Sequence, residues 1–424
     1  MKLLTGFLLL SVTTLAQSAP VPAVSGTWNG IAISHGQPVP FALTITGSGS
    51  NLKAALINGP ASFADQPQAS SVTLDGNHLV VTFSYFTSKF DTQVTGDTLT
   101  GTFSTATAKY PLTARLAAKP AAVKAAPNAP DIHGDWEIAY KSVKDESAWQ
   151  LRVTPDAANP ARVKAVIQRI DGDTGSLYGV WNGKNYTVSH FTAAGPLLYT
   201  FTPQPDGTLL VSNMLHADLA TDRQQDLVAR RPAEARKENL PAPTDTAEQT
   251  TVKDPTVPFA FSFPDLSGKL VSNTDARFDG KVVIVAIGGS WCPNCHDEAP
   301  FLVSLYKQFH SQGLEIVNLS FEDESQLKSL SGLHAFVARY NIPYTVLVAG
   351  NTDQLNEKIP QGVHLNSWPT TFFLGRDGLV KEVHAGFAGP ANPQANEALK
   401  REVTELIEHL LSEPAPVRSA SVKP

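Results

Sequence analysis

At 424 residues the chain is too long for one hydrophobic core, and roughly 150 residues per domain suggests about three domains. Apolar residues make up 42% and charged residues 17%, a composition that folds rather than one that stays disordered. The formal charge of −6 gives no electrostatic reason to expect nucleic acid or an anionic membrane surface as partner, and with only Cys292 and Cys295 present a multi-domain cysteine framework and a four-cysteine zinc site are excluded.

The chain opens with a destination signal. Lys2 precedes a mostly apolar stretch from Leu3 to Leu15, and small residues follow at Ala16, Ser18 and Ala19. This is the layout of a secretory signal peptide over residues 1–18, cut after Ser18. The apolar run falls short of the roughly 20 residues that span a bilayer. The expectation is a periplasmic or otherwise exported protein that does not span a membrane once the signal is removed.

Residues 19–117 and 131–230 alternate apolar and polar side chains in short runs separated by Gly, Asn, Asp and Pro, with almost no helical period. Such runs predict two all-β modules. Between them, residues 118–130 are mostly Ala, Pro and Lys, and residues 231–255 are rich in Pro, Glu, Thr and Lys; both read as linkers. The modules resemble each other: Gly26-Thr27-Trp28 aligns with Gly134-Asp135-Trp136, and Leu43-Thr44-Ile45 with Leu151-Arg152-Val153, at a constant offset of 108 residues. The expectation is a duplicated unit of about eight strands, a small meander barrel or a sandwich. Its Gly-x-Trp opening resembles the first strand of lipocalin-like and avidin-like barrels. Trp28 and Trp136 read as plugs for the β-cores, since large aromatics dominate core burial.

From residue 256 the pattern changes. After a lead-in hairpin at Asp265 to Lys269, the run Val282 to Ile287 is apolar at every position, as in a central strand covered on both faces. Ala299, Leu302, Val303, Tyr306 and Phe309 then form one helical face, stopped by Gly313. A strand over Leu314 to Leu319, a helix over Leu327 to Tyr340, strands at Tyr344 to Val348, Thr370 to Leu374 and Leu379 to His384, and a last helix with Leu399, Val403 and Ile407 on one stripe complete residues 256–413. Strands alternating with helices predict an α/β domain with a mixed sheet. Residues 414–424 read as a tail.

The chemistry sits where the buried strand meets the first helix. Cys292-Pro293-Asn294-Cys295 opens that helix, placing Cys292 beside unpaired backbone N–H groups and the positive end of the helix dipole, which favour a thiolate. Cys295, one turn in and more shielded, is placed to resolve a mixed disulfide formed at Cys292. An inert local disulfide is the bland reading. A zinc site would need ligands beyond the adjoining His296, and no second Cys pair or spaced His pair supplies them. The other histidines read as scattered and solvated.

Trp291-Cys292-Pro293-Asn294-Cys295 together with Ser367-Trp368-Pro369-Thr370-Thr371-Phe372-Phe373 resembles the thioredoxin superfamily, specifically its exported TlpA/ResA-like thiol-disulfide oxidoreductases. The resemblance covers about Val257 to Ser412 and is silent on the β-modules. It implies a redox-active Cys292–Cys295 disulfide, a cis-proline at Pro369 presenting backbone to an extended substrate, and Trp291 and Trp368 beside the substrate. It also implies a carboxylate at Glu298, one helical turn after Cys295, that moves a proton, and a Pro300 that kinks the helix. Protein disulfides or dithiols would be the substrates and a membrane thiol reductase the electron source; no cofactor and no metal are implied. Two departures stand out. Ala286 occupies the position of the buried Asp of thioredoxins, so Glu298 would have to act as the base, and Pro-Asn replaces Gly-Pro between the cysteines. The peroxiredoxin pattern Pro-x-x-x-Thr/Ser-x-x-Cys is absent, with Val285 and Gly289 at its first two positions.

The resulting expectation is an exported protein-disulfide oxidoreductase of two β-modules and a thioredoxin-like domain. The alternative is a binding or scaffolding protein whose β-region captures a ligand or protein, with the cysteine pair accessory.

Overall fold

The computed structural model describes residues 23–60, 66–119, 121, 124–156, 159–216 and 226–415. The signal sequence expected at 1–18 and most of the tail lie outside these residues.

Eight strands form the first sheet: β1 (Gly26–Ser34), β2 (Gln37–Thr46), β3 (Lys53–Ile57), β4 (Ser71–Asp75), β5 (His78–Phe83), β6 (Ser88–Thr95), β7 (Thr98–Ser104) and β8 (Lys109–Ala117). β1 to β3 and β4 to β8 run as antiparallel meanders and β8 pairs with β1, giving the order β3-β2-β1-β8-β7-β6-β5-β4. Beside edge strand β3 runs the segment that leads into β4: Leu56 N donates to Pro67 O and Ala69 N to Ala54 O. Alternation along β5 and β6 sends Leu79, Val81, Phe83 and Phe90 inward, each fully buried. Trp28 joins them, its indole N–H donating to Val24 O at 2.9 Å.

The second sheet contains β9 (Gly134–Ala139), β10 (Ala148–Asp156), β11 (Asn159–Arg169), β12 (Gly172–Asp173), β13 (Leu177–Trp181), β14 (Tyr186–Thr192), β15 (Gly195–Pro203), β16 (Leu209–Asn213) and β17 (Asp226–Arg230). Here β17 returns to β9 while β11 pairs with both β10 and β13, which closes the cylinder through hydrogen-bonded strands. Trp136 donates to Ile132 O at 2.8 Å, and the pairs Gly134↔Val153 and Trp136↔Leu151 repeat the register of Gly26↔Ile45 and Trp28↔Leu43. The barrels touch where Phe191 of β14 packs 5.2 Å from Phe41 and its N–H donates to Asn58 Oδ1 at 3.0 Å.

Residues 231–255, read from composition as linker, carry α1 (Pro232–Lys237), α2 (Thr246–Gln249) and β18 (Thr251–Val252). Arg231 stacks over the Trp136 ring at 3.8 Å, and β18 pairs with β24 (Gly362–Val363), so this stretch is fastened at both ends.

The remaining elements are β19 (Ser262–Pro264), β20 (Leu270–Ser272), β21 (Val282–Gly288), α3 (Pro293–Phe309), β22 (Leu314–Glu322), α4 (Glu324–Leu327), α5 (Ser331–Tyr340), β23 (Thr345–Asn351), α6 (Leu355–Lys358), β25 (Thr370–Leu374), β26 (Val380–Ala385) and α7 (Pro393–Ser412). They build a mixed five-stranded sheet, β23-β22-β21-β25-β26, parallel across β21, β22 and β23 and antiparallel at β25 and β26. All seven residues of β21 are buried. Val282, Ile284 and Ala286 face α3, α5 and α7, whereas Val283, Val285 and Ile287 share a cluster with Phe259, Phe261 and Phe278 of the lead-in segment and with Leu355 of α6.

Two elements differ from the sequence reading. The helix expected over Leu327 to Tyr340 is broken by Leu330 in the left-handed region, and the Gln326 side chain instead accepts from Gly332 N at 2.9 Å. The strand expected to end at Leu319 continues to Glu322, with Ser320, Phe321 and Glu322 buried beside Ser290 and Trp291.

Candidate active site

The cysteine pair lies at the carboxyl end of β21, where the chain turns into α3. Cys292 is the N-cap: its Sγ accepts from Cys295 N at 3.2 Å, satisfying a helix N–H that has no intrahelical partner. The two cysteines form a disulfide with their Cα atoms 5.3 Å apart. Gly288 makes room for it, since a Cβ there would meet Cys295 Sγ at 2.9 Å.

Glu298, one turn further along α3, is buried and accepts a 2.7 Å hydrogen bond from Thr371 Oγ1 on β25. Burial pushes its pKa up to about 7, against the smaller lowering effect of the Thr371 bond. Its charge also adds to the burial that raises the Tyr344 phenol. Pro369 immediately precedes β25: the Trp368–Pro369 peptide is cis and Pro369 is buried. The Trp368 ring lies edge to face with Trp291 at 5.4 Å, and Trp291 Nε1 donates to Phe321 O at 2.9 Å. Cys292, Cys295, Glu298, Trp291, Trp368 and Pro369 are therefore gathered at one end of the sheet. Helix α3 runs unbroken through Pro300.

Burial corrects the sequence reading in two respects. Cys292 is no more open than Cys295: their exposures are 2% and 5%, because both barrels stand over the redox motif. The histidines are not uniformly solvated either, since His190, His296 and His384 are buried. His296 is a bolt between units. Its Nε2 lies 2.8 Å from Ser290 O and its Nδ1 3.0 Å from the Tyr340 hydroxyl, while Phe86 of the first barrel stacks on the ring at 4.0 Å. Burial, reinforced by the nearby Arg339 charge, lowers its pKa to about 3, so the imidazole is neutral at ordinary pH. Around it, Arg339 lies 4.1 Å over the Tyr85 ring and Gln326 Nε2 donates to Thr87 Oγ1 at 3.1 Å.

A second group went unseen in the sequence. Glu322 has no exposed surface, yet it accepts from Ser290 N at 2.9 Å and from the Ser290 and Ser320 hydroxyls at 2.7 Å each. Burial raises its pKa against these three bonds. It fixes the residue two places before Cys292. The available signal, a polar Ser-x-Glu ending an apolar strand, is too common to single out.

Both barrels and the C-terminal domain line a partly open cavity of about 750 Å³ with Cys292 in its wall. Tyr85 and Phe86 come from the first barrel, Lys164 and Asp173 from the second, and Trp291 and Trp368 from the redox domain. The volume falls within the range of small-ligand pockets. Among the described residues no cluster of His, Cys, Asp and Glu could hold a metal ion, and no helix is long and apolar enough to cross a membrane.

A model of the AhpC/TSA family matches residues 254–383, which contain the cysteine pair, Glu298 and Pro369. The thiol-disulfide oxidoreductase ResA of Bacillus subtilis (strain 168) is 31% identical over 126 residues, covering 30% of this chain and 64% of that protein. The thioredoxin-like protein YneN of the same organism is 29% identical over 126 residues, covering 30% of this chain and 68% of that protein. Among solved structures, a putative thiol:disulfide interchange protein DsbE from Chlorobium tepidum is 21% identical with a TM-score of 0.29, covering 36% of this chain and 94% of its own. The chain thus spans just under two thirds of the length of ResA, and the similarity is confined to the C-terminal region. That region is a thioredoxin-like domain resembling ResA.

Proposed function

We propose that the chain is an exported thiol-disulfide oxidoreductase acting on protein disulfides or dithiols through Cys292-Pro293-Asn294-Cys295. The observation that carries this reading is a disulfide at a helix N-terminus with a carboxyl group of pKa about 7 one turn along the same helix. Similarity to ResA supports it, and the pattern of residues 1–18 supports export.

In the oxidative direction a substrate thiolate attacks Cys292 Sγ, the Cys292–Cys295 bond breaks, and Cys295 leaves as a thiolate that takes a proton from Glu298. A second substrate thiolate then attacks the substrate sulfur of the mixed disulfide and releases Cys292 as a thiolate, stabilised by the helix N-terminus. The substrate has lost two electrons and gained a disulfide. Reversal of the same steps reduces a substrate disulfide, with electrons from a thiol reductase. Trp368 and Pro369 present backbone to the substrate, and Trp291 packs beside them.

The two β-barrels read as a duplicated unit, supported by the repeated Trp-to-carbonyl bond and the repeated strand register. Their side chains line the cavity at Cys292, which favours a part in substrate selection over an independent scaffold. The test is reduction of insulin by the purified chain with dithiothreitol as electron source. Cys292→Ser should abolish the catalysed rate, and full activity in that variant rules the redox reading out.

A further inference from the structure

The redox face is already occupied by the chain itself. The turn between β11 and β12, carried by the second barrel, lies across it, and Asp171 alone meets three of its donors. Asp171 Oδ1 accepts from Trp368 N at 3.0 Å, and Asp171 O accepts from Asn294 Nδ2 at 2.9 Å and from Phe387 N at 3.2 Å. Trp368 precedes the cis-proline, Asn294 stands between the cysteines, and Phe387 follows β26. Gly172 then forms a parallel β-bridge with Phe387. The fit is close: a Cβ on Gly172 would come within 2.3 Å of Phe387 O and 2.7 Å of Asn294 Cγ. The barrel also brings a cation for the same carboxylate, Lys144 Nζ at 2.5 Å, and the Lys144 carbonyl is held by Gln249 Nε2 and Asn366 Nδ2.

These contacts describe a binding site as well as its occupant. If the turn moves away, two backbone N–H groups and an amide are left without acceptors on a face beside a sheet edge, a condition that extended polypeptide relieves by strand addition. The ammonium of Lys144 is released with them and favours a carboxylate on that polypeptide. While the turn is in place, Cys292 is 2% exposed and lines the cavity.

We propose that the β11–β12 turn is an internal occupant of the docking site for substrate, and that an extended, acidic polypeptide segment competes with it for Trp368, Asn294 and Phe387. This deepens the oxidoreductase reading and rests on it. Asp171 is a specificity and gating residue, outside the reacting groups.

The test uses the full-length chain with Asp171→Ala, and Lys144→Met as a second variant that leaves the turn's own sequence intact. After reduction, alkylation of Cys292 by a bulky polyethylene-glycol maleimide should run about tenfold faster in Asp171→Ala than in the parent, as expected for loss of one charge-assisted hydrogen bond from the closed form. Alkylation by iodoacetamide should change much less. KM for insulin should fall by a similar factor with kcat nearly unchanged, and Lys144→Met should shift both readouts the same way by less. With Asp171→Ala, a peptide disulfide with Asp beside its cysteine should be reduced faster than one with Lys there. Unchanged bulky-reagent alkylation in both variants, a raised KM for insulin, or no preference between the peptides would overturn the proposal. Alkylation needs no turnover, so failure of the redox reading, seen as activity in Cys292→Ser, is told apart from failure of this one.

Discussion

Replacing Glu298 by Gln isolates the energetic consequence of burying a carboxyl beside the redox pair. Burial moves its pKa from an ordinary 4.5 to about 7. A shift of that size corresponds to about 3 kcal/mol between the neutral and charged forms in the folded state. Below pH 4.5 the group is protonated in both folded and unfolded chains and costs nothing. As pH rises from 4.5 to 7 the unfolded chain ionises first, so stability is lost, and above 7 the loss is complete. The substituted amide is never charged and still offers an oxygen to Thr371 Oγ1. The variant should therefore match the parent near pH 4.5 and exceed it by up to about 3 kcal/mol at pH 8. Hydrogen–deuterium exchange of peptides from β21 and α3 reads this difference in the full chain. On the proposed function, the same variant should reduce insulin about 10²-fold more slowly or worse, because the group proposed to accept the proton is gone. Superimposable stability–pH curves for parent and variant would refute the assignment of the buried charge, and an unchanged insulin rate would refute the assigned proton transfer.

Thr371→Val removes the hydrogen bond that lowers the Glu298 pKa, so the Glu298-dependent limb of the insulin-reduction pH profile should move upward; a downward move contradicts the geometry. His296 has the opposite sign: its folded pKa of about 3 lies below the ordinary 6.5, so its contribution is present above pH 6.5 and lost as pH falls toward 3. His296→Gln should flatten the acid limb of the unfolding profile, and an identical acid transition would contradict it. Phe86→Ala removes the ring stacked on His296 and should weaken docking of the first barrel by about 2 kcal/mol, read as a larger radius of gyration in small-angle scattering. Trp28→Phe and Trp136→Phe each delete one indole-to-carbonyl bond and should each destabilise their barrel by about 1 kcal/mol in chemical denaturation, Trp136→Phe by more because Arg231 stacks on its ring.

The barrels change what the redox motif can meet. In this chain the first barrel packs on His296 directly after Cys295, and the second packs on Asn294 between the cysteines. Asn294 and His296 are both buried, whereas Pro293 between the cysteines stays exposed. On the proposed function, a substrate reaching Cys292 would meet residues from all three units that line the cavity.

Local chemistry was legible in the sequence because it is written at short range. Period-two alternation and turn residues gave the strands of both barrels, an unbroken apolar run gave β21, and a Cys-x-x-Cys opening a helical pattern marked the two cysteines that form the disulfide. A Gly-x-Trp motif recurring at a fixed offset marked the matching strands β1 and β9. Burial and long-range partnership were decided only by the tertiary structure. Asp171 meets Trp368 from 197 positions away and Asn294 from 123, and Gln326 meets Thr87 from 239. No periodicity records such pairs, since they depend on how three separately formed cores fit against one another. That same fit stacks Phe86 on His296, whose pKa burial lowers by removing water, a property that residue type alone does not carry.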